Sequence, residues 1–203
     1  MKAIHNKLVF ERRVEVLASH LGALMPQGAS VLDIGAGSGD MAVKIMSSRS
    51  DVSISGVDVL VRPNTAIKVT EYDGETIPAE DNSYDVSMLV DVLHHTPDPK
   101  RLMAEASRVA RKGVLIKDHF SENAFDKSVL SFMDWVGNAA HGVRLPYNYL
   151  ARAQWEGIWD DLSLTPREMR EALGLYQPPF NLLFDRNLHF VTFLESAKEA
   201  VAA

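Results

Sequence analysis

Gly35, Gly37 and Gly39 alternate along a short segment that follows an apolar run, Ser30 to Ile34, and precedes a helix-compatible stretch, Met41 to Met46. Glycine has no Cβ and accepts positive φ, so a strand that ends in Asp33 and opens into this turn lets backbone approach a ligand closely, and the helix behind adds a favourable dipole. A nicotinamide dinucleotide fingerprint needs a small third glycine at position 40, beneath a pyrophosphate. Asp40 stands there, and its carboxylate would repel that group. Asp58 ends the next strand about 20 residues after Gly39, where an acidic side chain can accept both hydroxyls of a ribose. Asp73-Gly74 follows the third strand; without a ligand it reads as an ordinary Asp-Gly turn.

A second polar set gathers further along. The His94-His95 pair follows the strand candidate Tyr84 to Asp91. Histidine serves as a base near neutral pH, and it equally well hydrogen-bonds a neighbouring loop. Lys117-Asp118-His119 closes a fifth strand, whose C-terminal end faces the ligand crevice in an open α/β sheet; the other reading is an ion-paired strand end. Asp134, Asn138 and His141 are spaced by four and three, so on a helix they share a face, either lining a substrate pocket beside Trp135 or meeting solvent.

The elements that must position these residues are visible as patterns. Phe10, Val14, Leu17, Leu21 and Leu24 form one helical stripe that ends near Pro26 and Gly28. Strand candidates follow at Ser30 to Ile34, Val52 to Asp58, Ala66 to Tyr72, Tyr84 to Asp91 and Val114 to Asp118, implying a parallel sheet. Asp98-Pro99 supplies an N-cap and first-turn proline for a helix buried through Leu102, Ala106 and Val109. From His119 to Asp161 the alternation gives way to a helical stretch and a Gly, Pro and Tyr-rich segment, expected to be an inserted cap. Thr165-Pro-Arg-Glu168 reads as a capping box opening a helix that Gly174 stops, and Phe180 to Phe184 and Leu188 to Leu194 read as two final strands.

With 203 residues, 46% hydrophobic and 24% charged, the chain has globular composition and length for one substantial core. Twenty-one basic against 27 acidic residues give −6, which disfavours a nucleic-acid substrate. The absence of cysteine excludes disulfides and thiolate metal sites. No apolar block matches a secretory signal or a bilayer span, so a cytoplasmic protein without integral membrane contact is expected. Oligomeric state is not legible.

Taken together, VLDIGAGSG, GVD, DG and YDVSMLVDVLHH, spread over roughly residues 28 to 120, resemble the class I S-adenosylmethionine-dependent methyltransferases, especially the small-molecule, type 11-like branch. The local chemistry agrees, since adenosylmethionine has no phosphate and presents an ammonium, a carboxylate and a sulfonium. The resemblance implies that Asp33 and the backbone of Gly35, Ala36, Gly37 and Gly39 border the methionine part of the cofactor. It places Asp58 at the ribose, Asp73 and Gly74 at the adenine amino group, and Asp91 and Val92 near the reacting sulfur. The family usually has a helix between the second and third strands; Leu60 to Thr65 leave no room for one, and Arg62 is a partial substitute on the adenine side. The expected fold is an α/β, Rossmann-like, seven-stranded, mostly parallel sheet with an antiparallel last strand and a helical cap insertion. We expect one domain over 1–203, with an N-terminal helix over 1–27 and the cap over 119–161. The sulfonium is already activated, so the protein aligns a small-molecule acceptor, excludes water and removes a proton, with no metal required. His95, Asp118 and His119 are the expected catalytic residues, and His94, Asp134, Asn138 and His141 the substrate contacts. A non-catalytic protein that binds adenosylmethionine as a scaffold is the alternative.

Overall fold

In the computed structural model, residues 2–138 and 146–197 are described. Helix α1 (Lys2–Leu24) leads into β1 (Ser30–Ile34), α2 (Asp40–Ser48), β2 (Ser53–Asp58), β3 (Val69–Glu71) and β4 (Tyr84–Val90). After a 3-10 turn at Leu93–His95 come α3 (Pro99–Val109), β5 (Ala110–His119), α4 (Ala124–Asn138), α5 (Arg152–Asp161), β6 (Leu164–Arg170), α6 (Asn181–Phe184) and β7 (His189–Ser196). The strands form one seven-stranded sheet in the order β3-β2-β1-β4-β5-β7-β6. Every pairing from β3 to β5 is parallel, and β7 runs antiparallel to both β5 and β6. This is the expected Rossmann-like α/β sheet, and its strand order reverses between β1 and β4, where such sheets open a crevice at their carboxyl ends.

Alternation along the strands divides the core into two layers. Val31, Val86, Leu115 and Phe193 pack with Leu17, Leu21 and Leu24 of α1 and with Ala42 and Ile45 of α2. Leu32, Ile34, Val114, Ile116 and Phe190 face the other way, onto α3 and onto Trp155 and Trp159 of α5. The same period sends Lys117 and His119 to the α1 side of β5 and Asp118 to the α3 side. Asp98 caps α3 as expected, accepting the Arg101 N–H at 3.0 Å.

Two expectations for the C-terminal part are corrected. Residues 165–168 lie inside strand β6 and not in a helix. β6 is an edge strand paired only to β7, with a register shift between Pro166 and Glu168. An edge tolerates a proline that has no N–H to donate, and a bulge absorbs it, so sheet pairing overrides the local capping signal. Phe180 to Phe184 does not form a strand; its Asn181–Phe184 part is the short helix α6, with Leu182 76% exposed. The Asp185 carboxylate accepts the N–H groups of Leu175 and Tyr176, folding this segment back on itself, and β7 already has a partner on each side.

Between β2 and β3 no helix forms. Residues 59–68 instead cross the glycine turn: Ala66 N–H donates to the Ser38 carbonyl at 2.8 Å, and Ile67 packs where a Cβ on Gly39 would sit. The cap between β5 and β6 contains α4 and α5, and α5 is core through its two buried tryptophans. None of the helices among the described residues is long and apolar enough to cross a membrane.

Candidate active site

A cavity of about 350 Å³ opens at the carboxyl ends of β1 and β4. Its floor is the glycine turn. Gly35, Gly37 and Gly39 all have positive φ, and a Cβ on Gly35 would lie 2.6 Å from the Val92 side chain. Asp33, Gly35, Ala36 and Gly37 line the cavity; Gly39 does not, because it packs under Ile67 at the start of α2. Asp58 lies behind the turn, with Oδ2 accepting Gly37 N–H at 2.7 Å and Oδ1 accepting Leu60 N–H at 2.9 Å. Asp73 and Gly74 are not brought to the cavity wall: Asp73 Oδ1 accepts the Glu75 and Thr76 N–H groups in a solvent-exposed turn. Asp33 is 3% exposed, and burial, with Asp58 nearby, pushes its carboxyl up to about 8. A neutral buried acid that faces an open cavity suits a ligand bringing a positive charge.

The far wall is an ionic network. Asp91 leaves β4 with φ 57°, a left-handed conformation that costs a non-glycine residue on the order of 1 to 3 kcal/mol and must be held by its surroundings. What holds it is Lys117, whose fully buried ammonium contacts Asp91 Oδ1, and Arg13 of α1, which reaches Oδ2 at 2.9 Å. Burial works against the Asp91 charge, but the two cations outweigh it and hold the carboxyl well below its usual range. Lys117 Nζ also lies 3.3 Å from His119 Nε2 and 3.4 Å from His189 Nδ1. Burial and this ammonium keep His119 and His189 neutral.

The histidine pair divides into two chemical species. His94, 2% exposed, shares a 2.8 Å hydrogen bond through Nδ1 with Asp118 Oδ1. Burial opposes its charge, yet Asp118, Asp134 and Asp91 around it raise its pKa to about 10, so near neutral pH it is an imidazolium. His95 is pushed down by burial and by the His94 cation, so it is neutral. Its Nε2 lies 3.6 Å from Asp134 Oδ1, and its Nδ1 is buried without a hydrogen-bond partner. Tyr149 stacks on His94 at 5.2 Å between ring centres. Asp118 is 1% exposed and accepts from Leu93 N–H, His94 and His119 N–H, which hold it ionised; it does not line the cavity.

Of the residues singled out by the sequence, the structure brings Asp33, Gly35, Ala36, Gly37, Asp91, His94, His95, His119 and Asp134 to one cavity. Val92 packs in the core against Gly35, and Val90 takes its place on the wall. Trp135 is 56% exposed and points away. His141 and the side chain of Asn138 lie outside the described residues. Arg13, Arg62, Leu130, Met133 and Tyr149 also line the wall, as does Asp40. Arg13 carries no local signal beyond its place in an amphipathic helix, and His189 reaches His119 through the antiparallel register of β5 and β7.

A family described as methyltransferase domain matches residues 32–116. An uncharacterised protein of Methanocaldococcus jannaschii is 31% identical over 108 residues, covering 53% of this chain and 50% of that protein. The 27-O-demethylrifamycin SV methyltransferase of Amycolatopsis mediterranei is 34% identical over 112 residues, covering 48% and 41%. The chain thus spans about half the length of these curated relatives. Among solved structures, a SAM-dependent methyltransferase from Aquifex aeolicus superposes with TM-score 0.60 at 16% identity, over 96% of this chain and 98% of that one, a likeness of fold.

Proposed function

We propose that this chain, whose residues 32–116 match the methyltransferase-domain family, is a class I S-adenosylmethionine-dependent methyltransferase that transfers a methyl group from S-adenosylmethionine to a small-molecule acceptor held in the histidine-lined part of the cavity. The observation that carries this reading is the juxtaposition of a neutral buried Asp33 and a positive-φ glycine turn with a separate acid–base cluster across one cavity. Bound adenosylmethionine supplies a methyl group already activated on a sulfonium. The chain's own task is to hold it, align the acceptor and take the acceptor's proton. Asp33 would hold the ammonium, the turn backbone the carboxylate, and Asp58 the ribose hydroxyls, giving up part of its hold on Gly37 and Leu60. Lys117 and Arg13 saturate Asp91, Lys117 occupies His119 Nε2, and Asp118 neutralises His94. Proton removal therefore falls to the His95–Asp134 pair, in which His95 is neutral and both residues line the chamber. A cavity of about 350 Å³ that must also hold the cofactor favours a small acceptor. The whole chain 1–203 forms one catalytic unit, with α4 of the cap supplying the acceptor wall, and it acts in the cytoplasm.

Calorimetry with S-adenosylhomocysteine tests this reading directly. The parent protein is expected to bind, and Asp58→Ala to bind more weakly by about 1.5 to 3 kcal/mol, the scale of hydrogen bonds to a charged group. Failure of the parent to bind at millimolar ligand would sink the reading. Asp58→Ala with parental affinity would remove Asp58 from the site.

A second expectation concerns protons. A carboxyl raised to about 8 in the fold and ordinary in the unfolded chain binds an extra proton in the native state. Its contribution to stability is fully present below about pH 4 and is lost as pH rises through about 8. An incoming ammonium lowers that pKa, so ligand binding at pH 7 should release a proton, seen as a binding enthalpy that varies with the ionisation enthalpy of the buffer. Asp33→Asn should abolish this dependence and flatten the stability profile between pH 4 and 8. Buffer-independent enthalpies in the parent would mean that Asp33 does not meet the ligand.

A further inference from the structure

Among the described residues, two trios in the chamber bring histidine nitrogens and a carboxylate oxygen within 4.8 Å of one another: Asp91, His94 and His119, and His94, His95 and Asp134. The first already holds a cation. Lys117 Nζ contacts Asp91 Oδ1 and lies 3.3 Å from His119 Nε2, while Arg13 takes Asp91 Oδ2, so a further positive centre would be repelled at close range. The second trio involves neither of these contacts, and the positive charge it does carry is the proton on His94, which a metal bound at Nε2 would displace.

Its geometry is that of a ligand set with a backing carboxylate. His94 is fixed through Nδ1 by Asp118 at 2.8 Å, which leaves Nε2 directed to Asp134 Oδ1 at 3.9 Å; His95 Nε2 lies 3.6 Å from the same oxygen. A carboxylate behind one ring nitrogen is what sets the tautomer and orientation of metal-binding imidazoles. Two imidazoles and one carboxylate with a cavity on the open side are the protein ligands of catalytic zinc and ferrous sites. A cation about 2.1 Å from each donor needs neighbouring donors about 3.0 to 3.5 Å apart, so small side-chain rotations close the set. His95 Nδ1 is buried without a hydrogen bond, so this wall has polar capacity its own side chains do not use.

We propose that His94, His95 and Asp134 bind a divalent transition-metal cation of the zinc or ferrous class, with Asp118 as the positioning residue behind His94. The inference rests on the reading that this pocket serves methyl transfer, and it makes the His95–Asp134 pair act in the deprotonation as metal ligands in place of a direct base. The cation lowers the pKa of an acceptor hydroxyl, the proton leaves to water, and the oxygen's electron pair bonds to the methyl carbon as the carbon–sulfur bond breaks.

The test is a titration of chelator-stripped protein with Co2+ and, separately, with Zn2+. About one Co2+ per chain should bind with visible d–d absorption. His95→Ala and Asp134→Ala should weaken binding at least 100-fold and Asp118→Asn on the order of 10- to 100-fold. The variants should keep parental circular dichroism and S-adenosylhomocysteine affinity; if Asp134→Ala fails to fold, Asp134→Asn replaces it. Equal binding by parent and variants, or no saturable binding below millimolar metal, overturns the proposal. So does undiminished methyl transfer by the parent in chelator together with its loss in His95→Ala; that result leaves the methyl-transfer reading intact, with His95 itself the base. Absence of S-adenosylhomocysteine binding would strike that reading instead, while the metal titration is still decided on its own terms.

Discussion

Replacing Gly37 by valine is expected to raise the dissociation constant for S-adenosylhomocysteine more than 100-fold, a loss of over about 2.7 kcal/mol. Gly37 has φ 56°, which a β-branched residue adopts only under strain, and its backbone N–H holds Asp58 at 2.7 Å. A Cβ there meets nothing closer than the Arg62 guanidinium at 3.6 Å, so the side chain would not strike the core; it would stand in the cavity that Gly37 lines. The effect should therefore fall on ligand affinity more than on the fold. Gly28 provides the control: it also has positive φ, at 66°, with open space around a Cβ, and it lies away from the cavity. Gly28→Ala should lower stability slightly and leave affinity alone. A valine at 37 that binds within threefold of the parent would show that the turn does not contact the cofactor.

Lys117→Met should destabilise the protein by about 3 to 5 kcal/mol, because removing one partner of a buried pair leaves the other charge uncompensated. Lys117 is completely buried and touches Asp91, His119 and His189 at once. Arg13 remains on the other oxygen of Asp91, which places the expected loss toward the lower end and the fall in Tm on the order of 10 °C. Adding Asp91→Asn should restore a large part of it, since asparagine tolerates the left-handed conformation and carries no charge to strand. Asp91 is depressed in the fold, so its contribution is present above the ordinary carboxylate pKa near 4 and is lost as pH falls below it. The gap between parent and Lys117→Met should thus be full at neutral pH and narrow in acid. Thermal unfolding of the three proteins at pH 7 and pH 3.5 decides the matter; a loss below 1 kcal/mol at pH 7, or no recovery in the double variant, would show that the pair is not what supports the Asp91 turn.

The amino-acid sequence determined the strand–glycine turn–helix start, the parallel sheet, the capped α3, the missing helix after β2 and the cap between β5 and β6, because each is written in neighbouring residues: periodicity, an Asp-Pro cap, glycines at a turn. Tertiary structure alone decided that residues 165–168 form an edge strand and residues 181–184 a short helix, since a strand exists only with a partner and the vacancy beside β7 is a property of the whole sheet. It also decided which polar residues meet. Arg13, Lys117 and His189 converge on Asp91 and His119 from three elements far apart in the chain, and no local spacing encodes that meeting. His94 and His95 are adjacent and chemically identical in sequence, yet one is charged and the other neutral, because Asp118 packs beneath the first while burial and that first charge act on the second. Protonation states depend on desolvation and on charges within a few ångströms, and both come into being only when the helices close over the sheet.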